Sequence, residues 1–251
     1  MTWEGGLART ADDYERTNNS DYNWETGEYK SGSLGNALAK YSDDASWSGL
    51  DAAQFRKFAS SLGITNSQTQ EKLFEAIFHE WRSMVFDTSN YTPNSSQIST
   101  GDGRTVSPDG IAIATEFELK KFKNKLDIDF DVYGSYYEVK LKSSGTISMR
   151  DYNKQGERML EALDSRDFEN PTITYVLPAG VSINQNFKNN DYGISVRDYN
   201  ARFRIENGVI QIRYWSGNLG SWLSGAESHY IELNRQTANQ LLYKYRTVLK
   251  N

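Results

Sequence analysis

Apolar positions recur along this chain in two rhythms, one helical and one alternating, and the change between them divides it. Leu73, Phe74, Ile77, Phe78, Trp81, Met84 and Val85 fall on one broad stripe at helical spacing. Ser67 followed by Gln70 matches a capping box, in which each side chain satisfies the other residue's backbone N–H, so the spacing predicts a helix over 68–86. Glu71, Glu75 and His79 fall on its opposite, polar face. A shorter helix is predicted over 51–62, with Asp51 or Ser48 as cap and Gly63 as stop. Ser, Thr, Asn, Gly and Pro dominate 87–103, which reads as a loop.

From Thr105 the period becomes two. A strand interrupted by Pro108 is predicted over 106–114, and strict alternation follows over 126–132 and 136–141, with Gly134-Ser135 as the turn between them. Helical spacing returns over 152–164. The β-branched run 172–177, closed by Pro178, has the pattern of a buried strand. Strands over 194–203 and 209–215 flank Asn207-Gly208, a strong hairpin signal. Asn234 then caps a last helix reaching Leu249. The first fifty residues show no sustained period, and the isolated Trp3, Trp24 and Trp47 mark a segment draped over a folded body. The expected organisation is a lead-in over 1–66, partly irregular with a short helix, and one domain over 67–251. That domain has a core to 178 and a C-terminal elaboration over 179–251. Its expected fold class is mixed α/β, a central mixed β-sheet with flanking helices in the order αβββαβ, then extra strands and a helix.

Composition narrows the chemistry. Apolar residues make up only 37%, but 16 Tyr, 11 Phe and 6 Trp supply enough bulk for a real core, which excludes wholesale disorder. The absence of cysteine excludes a disulfide scaffold, thiol catalysis and cysteine zinc sites together. The two histidines, His79 and His229, lack partners at ligand spacing and read as structural. No apolar run approaches the roughly 18 residues of a membrane span, and no cleavable signal peptide opens the chain, so no membrane anchoring is expected. The net charge of −5 argues against a polyanionic substrate until its distribution is considered. The first fifty residues carry nine acids and four bases, whereas 120–158 carries nine bases and six acids. Net charge therefore leaves the substrate open.

Two short motifs carry chemistry. Pro108-Asp109-Gly110 stands at a predicted strand, and Glu138-Val139-Lys140 on a later one. Alternate residues of a strand share a face, so Glu138 and Lys140 point one way and Val139 goes into the core. A second carboxylate facing them from a neighbouring strand makes a cation site with a basic group beside it. A hard cation such as Mg²⁺ takes oxygen ligands and keeps several waters. Phosphodiester hydrolysis needs this grouping, because the cation polarises a phosphoryl oxygen and activates water while the ammonium offsets developing charge. Each motif alone also fits a bland reading, a cross-strand ion pair for one and a β-turn for the other.

Together, in this element order, they resemble the PD-(D/E)XK nuclease superfamily over roughly 68–177. The resemblance implies that Asp109, Glu138 and the Val139 carbonyl hold Mg²⁺ or Mn²⁺, and that Lys140 orients or deprotonates the attacking water. It implies an acidic residue from the first helix, Glu75 or, one turn earlier, Glu71. It also implies a glutamine on the second helix, where Gln155 stands. The gap between Asp109 and Glu138 is longer than usual in the family, and 116–125 looks like an insertion. Asp127, Asp129 and Asp131 share one strand face and are an alternative source of the second-strand carboxylate. The stretches 103–111 and 137–141 look most like nuclease toxin modules of bacterial polymorphic and contact-delivered toxins. That likeness implies a DNA substrate, delivery into the cytoplasm of rival bacteria and a cognate immunity protein. A restriction-type endonuclease with recognition strands within 194–215 is one alternative. A non-catalytic binding module using the Tyr- and Trp-rich stretch 192–222 is another.

Overall fold

Asp51 accepts the Gln54 N–H at 2.8 Å while Gln54 accepts that of Asp51 at 3.0 Å, a reciprocal cap that starts the first long helix where the sequence places it. The structure is a computed structural model, and it describes residues 22–23, 28–29, 32–38, 41, 44–85, 91–94, 96–112, 134–166, 168, 170–217 and 229–249. In chain order these form β1 (Tyr22–Asn23), β2 (Glu28–Tyr29), α1 (Leu34–Leu38), β3 (Asp44–Gly49), α2 (Ala52–Ser61) and α3 (Ser67–Val85). Then come β4 (Tyr91–Pro93), β5 (Ile98–Ser99), β6 (Thr105–Val106), β7 (Gly110–Ala112), β8 (Ser135–Val139), β9 (Gly145–Ile147) and α4 (Asp151–Asp164). The chain continues through β10 (Thr172–Leu177), β11 (Val181–Ile183), α5 (Gln185–Lys188), β12 (Ser195–Glu206), β13 (Val209–Ser216), β14 (Ile231–Leu233) and α6 (Arg235–Lys244).

The fold is mixed α/β, built on an eight-stranded sheet in the order β14-β13-β12-β10-β8-β7-β4, with β3 also paired to β12. β10 runs parallel to both β8 and β12, and the other pairings in this sheet are antiparallel. β10 is buried at every position, as its β-branched run implies. Parity along the strands divides the core. Tyr137, Val139, Val176 and Tyr199 join α2, α3 and α6 residues in one apolar cluster. Tyr136, Tyr175 and Val196 join Met159, Leu160 and Leu163 of α4 in a second. Helices therefore lie on both faces. No helix among the described residues is long and apolar enough to cross a membrane.

Several boundaries differ from expectation. Asn66, not Ser67, caps α3, since its Oδ1 accepts the Thr69 N–H at 3.0 Å. The Gln70 amide is instead buried and donates to Ser60 Oγ at 2.9 Å and to the Ile64 carbonyl at 2.8 Å, tying α3 to the end of α2. Met84, on the expected apolar stripe, is 44% exposed. The expected loop 87–103 contains β4 and β5, and β5 pairs with β6 in a separate small sheet. Pro108 lies between β6 and β7, which belong to different sheets. The alternating run 126–132, with Asp127, Asp129 and Asp131, and the insertion 116–125 lie outside the described residues. The Asn207-Gly208 turn has positive φ at both positions, 52° and 69°, as a two-residue hairpin of this twist requires. Asn234 caps the last helix, but regular helix ends at Lys244.

The lead-in is partly integral to this body. β3 pairs with β12, and Leu34, Leu38, Leu50, Phe55 and Phe58 share one cluster with Leu73, Phe74 and Trp81. A single apolar core runs across position 66.

Candidate active site

Asp109 immediately precedes β7, and antiparallel pairing of β7 with β8 sets Gly110 opposite Tyr137. The Asp109 N–H donates to the Tyr137 carbonyl at 2.9 Å, and the Val139 N–H donates to Asp109 Oδ2 at 2.8 Å. From the other side, Asn94 donates its N–H to the Asp109 carbonyl at 2.8 Å and its amide to the Pro108 carbonyl at 2.9 Å. Pro108-Asp109-Gly110 is thus clamped between two strands. Gly110 is required there, because a Cβ would lie 2.6 Å from the Tyr91 hydroxyl and 2.7 Å from its ring.

Glu138 is wholly buried and forms an ion pair with the Lys140 ammonium, which alternation places on the same face. Burial by itself would lower the Lys140 pKa. The Glu138 and Asp109 carboxylates outweigh it and hold that pKa above the usual lysine value. As folded, Lys140 is a cation and a donor. Burial likewise pushes the neighbouring Tyr175 hydroxyl well up, and the charges of Glu138 and Asp109 add to the shift.

Asp109, Val139 and Lys140 border a cavity of about 280 Å³ also walled by Glu71, Lys72 and Glu75 of α3 and by Tyr152. No family model, curated protein or solved structure matches the chain. Its chemistry is read from this cavity.

Four of the expected residues, Glu75, Asp109, Val139 and Lys140, meet at the cavity, and Glu138 sits behind it against Lys140. Glu71 also reaches the wall, but its side chain is 55% exposed and lies 3.8 Å from Arg56. Gln155 is half-buried on α4 and is not part of the wall. The reason is local. Tyr152, Asn153 and Lys154 are left-handed, with φ of 51°, 58° and 62°, and Tyr152 is the α4 residue that reaches the cavity. Its ring centre lies 5.1 Å from Lys140 Nζ. Such backbone costs roughly 1–2 kcal/mol per non-glycine residue and collects at functional sites.

His79 is not the isolated residue that the sequence suggests. It is completely buried, with Nε2 3.2 Å from Glu75 Oε1 and Nδ1 2.5 Å from the Tyr91 hydroxyl. The i,i+4 spacing of Glu75 and His79 was the available signal. His229, by contrast, contributes a backbone carbonyl, which accepts Trp81 Nε1–H at 3.1 Å.

Among the described residues, no group of three or more acidic or imidazole side chains is gathered as a ready metal cage. The cavity's donor set still fits one class of ion. Its carboxylates Glu71, Glu75 and Asp109 offer oxygen, which suits a hard cation that keeps several waters and takes one or two carboxylates.

Proposed function

We propose that the chain is a metal-dependent deoxyribonuclease of the PD-(D/E)XK type, hydrolysing phosphodiester bonds. The observation that carries this reading is the bond from the Val139 N–H to Asp109, which locks the Pro-Asp segment to the Glu-Val-Lys strand beside one cavity. The chain order α3, β7, β8, α4, β10, with β9 between β8 and α4, supports it.

Asp109, Glu138 and the Val139 carbonyl would hold Mg²⁺ or Mn²⁺, with Glu75 beside them. When bound, such an ion polarises the phosphoryl oxygen and lowers the pKa of its water. The chain's own part is positional and electrostatic. Asp109 is fixed by three backbone groups from two neighbouring segments, and Lys140 directs an ammonium at the phosphate oxygens as negative charge develops. Tyr152, 46% exposed, offers an aromatic face at the cavity wall on which a base could stack.

The likeness of 103–111 and 137–141 to toxin modules supports the narrower reading, an antibacterial effector domain that acts on DNA in the cytoplasm of a target bacterium and is neutralised by an immunity protein. Purified protein is expected to degrade plasmid with Mg²⁺ or Mn²⁺, with EDTA abolishing cleavage and Glu138→Gln inactive though folded. Intact plasmid after prolonged incubation of folded wild type with either metal would overturn the reading. Co-expression separates the alternatives. An immunity protein inhibits on every substrate, whereas the methyltransferase of a restriction pair protects only methylated DNA.

A further inference from the structure

We infer that His79 and Tyr91 are positioning residues that hold the Glu75 carboxylate at the cavity and make Glu75 a working member of the site, an inference that rests on the nuclease reading above. Glu75 is 9% exposed and occupies the cavity wall from α3. A carboxylate this buried is costly unless hydrogen bonds replace its water. His79, one turn along the helix, supplies one through Nε2.

The imidazole is held in turn from its other nitrogen. Burial pushes the Tyr91 hydroxyl well above the usual tyrosine range, so the phenol keeps its proton. Nδ1 lies 2.5 Å from this hydroxyl and Nε2 3.2 Å from Glu75 Oε1, so Tyr91 fixes the ring orientation in which Nε2 meets the carboxylate. A histidine oriented on one nitrogen to serve a carboxylate on the other is the logic of outer-shell partners at metal and catalytic sites.

Tyr91 is itself locked to the strand that bears Asp109. β4 pairs with β7, with Pro93 opposite Gly110, and Gly110 leaves room for the phenol where any Cβ would collide. The Tyr91 ring meets Tyr137 edge-on at 5.3 Å, and the buried Arg82 guanidinium lies 5.0 Å from its centre. Tyr137 immediately precedes Glu138. One packed unit therefore fixes Glu75 relative to Asp109 and Glu138, although the three come from α3, the start of β7 and β8. A histidine that merely filled the core would not need Gly110 beside Asp109 to seat its tyrosine.

The test uses the full chain and two readouts, Mn²⁺ titration by calorimetry and steady-state cleavage of a labelled duplex, with a thermal melt to establish folding. Tyr91→Phe removes one oxygen and keeps the ring. It is expected to lower Mn²⁺ affinity or kcat on the order of 10–100-fold, the usual cost of losing an outer-shell partner, while KM for DNA stays put. His79→Gln, which offers a donor and an acceptor on one planar group, should lose less than His79→Leu. Glu75→Gln combined with Tyr91→Phe should be no worse than Glu75→Gln alone, because both act through one carboxylate. An active wild type whose folded Tyr91→Phe variant matches it in both readouts overturns this inference and leaves the nuclease reading standing. So does a double variant that loses the product of the two single effects. A folded wild type that neither binds Mn²⁺ nor cleaves overturns both.

Discussion

β12 and β13 run together through eight register pairs, from Tyr199 opposite Ser216 to Glu206 opposite Val209, whereas β4 and β7 at the other edge of the sheet hold three residues each. The long hairpin buries Ala201, Phe203, Ile205, Ile210, Ile212 and Tyr214, all in the cluster beneath α2, α3 and α6. The short edge, the adjacent β8 and the helix over them bury Glu75, His79, Arg82, Asp109 and Glu138 beside apolar residues such as Phe78 and Tyr91, and the hairpin in turn buries Asp198, Gln211 and Arg213. Truncating a hairpin side chain leaves a cavity, which the fold tolerates in proportion to its volume. Removing one member of the polar edge strands a partner in low dielectric. The site proposed above belongs to the second region, and no residue of the hairpin is part of it.

The largest separation is expected from Lys140→Ala. Turnover should fall on the order of 10²–10³-fold with the loss of one positioned donor. In EDTA the buried Glu138 also loses its ammonium, at a cost of about 3–5 kcal/mol, and saturating Mn²⁺ should raise the thermal midpoint of this variant more than that of wild type. An identical metal response in the two would separate Glu138 from the cation site. Next is Ile212→Ala in the hairpin, expected to cost about 2–5 kcal/mol in urea denaturation while leaving kcat of the folded fraction alone. A matching drop in kcat would abolish the distinction between the regions. The smallest stability effect is Gly110→Ala, about 1–3 kcal/mol of overpacking against Tyr91. Here single-turnover cleavage should fall together with stability, because the displaced phenol bears on His79.

The elements that declare themselves locally were legible from the sequence. Asp51 caps α2, the apolar stripe marks α3, the β-branched run marks β10, and Asn207-Gly208 marks the hairpin. Alternation was enough to put Glu138 and Lys140 on one face, where they pair. The polar face of α3 was not legible. Glu75 was expected at the site only through the family resemblance, and His79 read as structural with no partner named, because the groups that cover them lie far along the chain. Tyr91 bonds His79, and Tyr245, beyond α6, stacks 5.4 Å from its ring. β3 was missed for the same reason, since its partner is β12. Gln155 was expected at the site through the resemblance, as the glutamine of the second helix, and the left-handed turn at 152–154 presents Tyr152 instead. Tyr, Asn and Lys in sequence carry no compositional signal for that backbone.

The joining of β3 to β12 also bears on time. One edge of β12 is shared end to end, by β10 along 195–200 and by β3 along 202–205. A chain made from its amino end therefore exposes β3 with no partner until most of the remaining sequence has followed. Other closures are as distant. Trp81 waits for the His229 carbonyl 148 positions on, and the Leu62 carbonyl waits for Arg235, 173 positions on. Contacts this far apart in sequence slow folding, because the loop entropy is lost before the contact forms. In refolding from urea, the pairing of Trp47 and its neighbours with β12 should therefore belong to the last phase, well after helices α3 and α4 have formed.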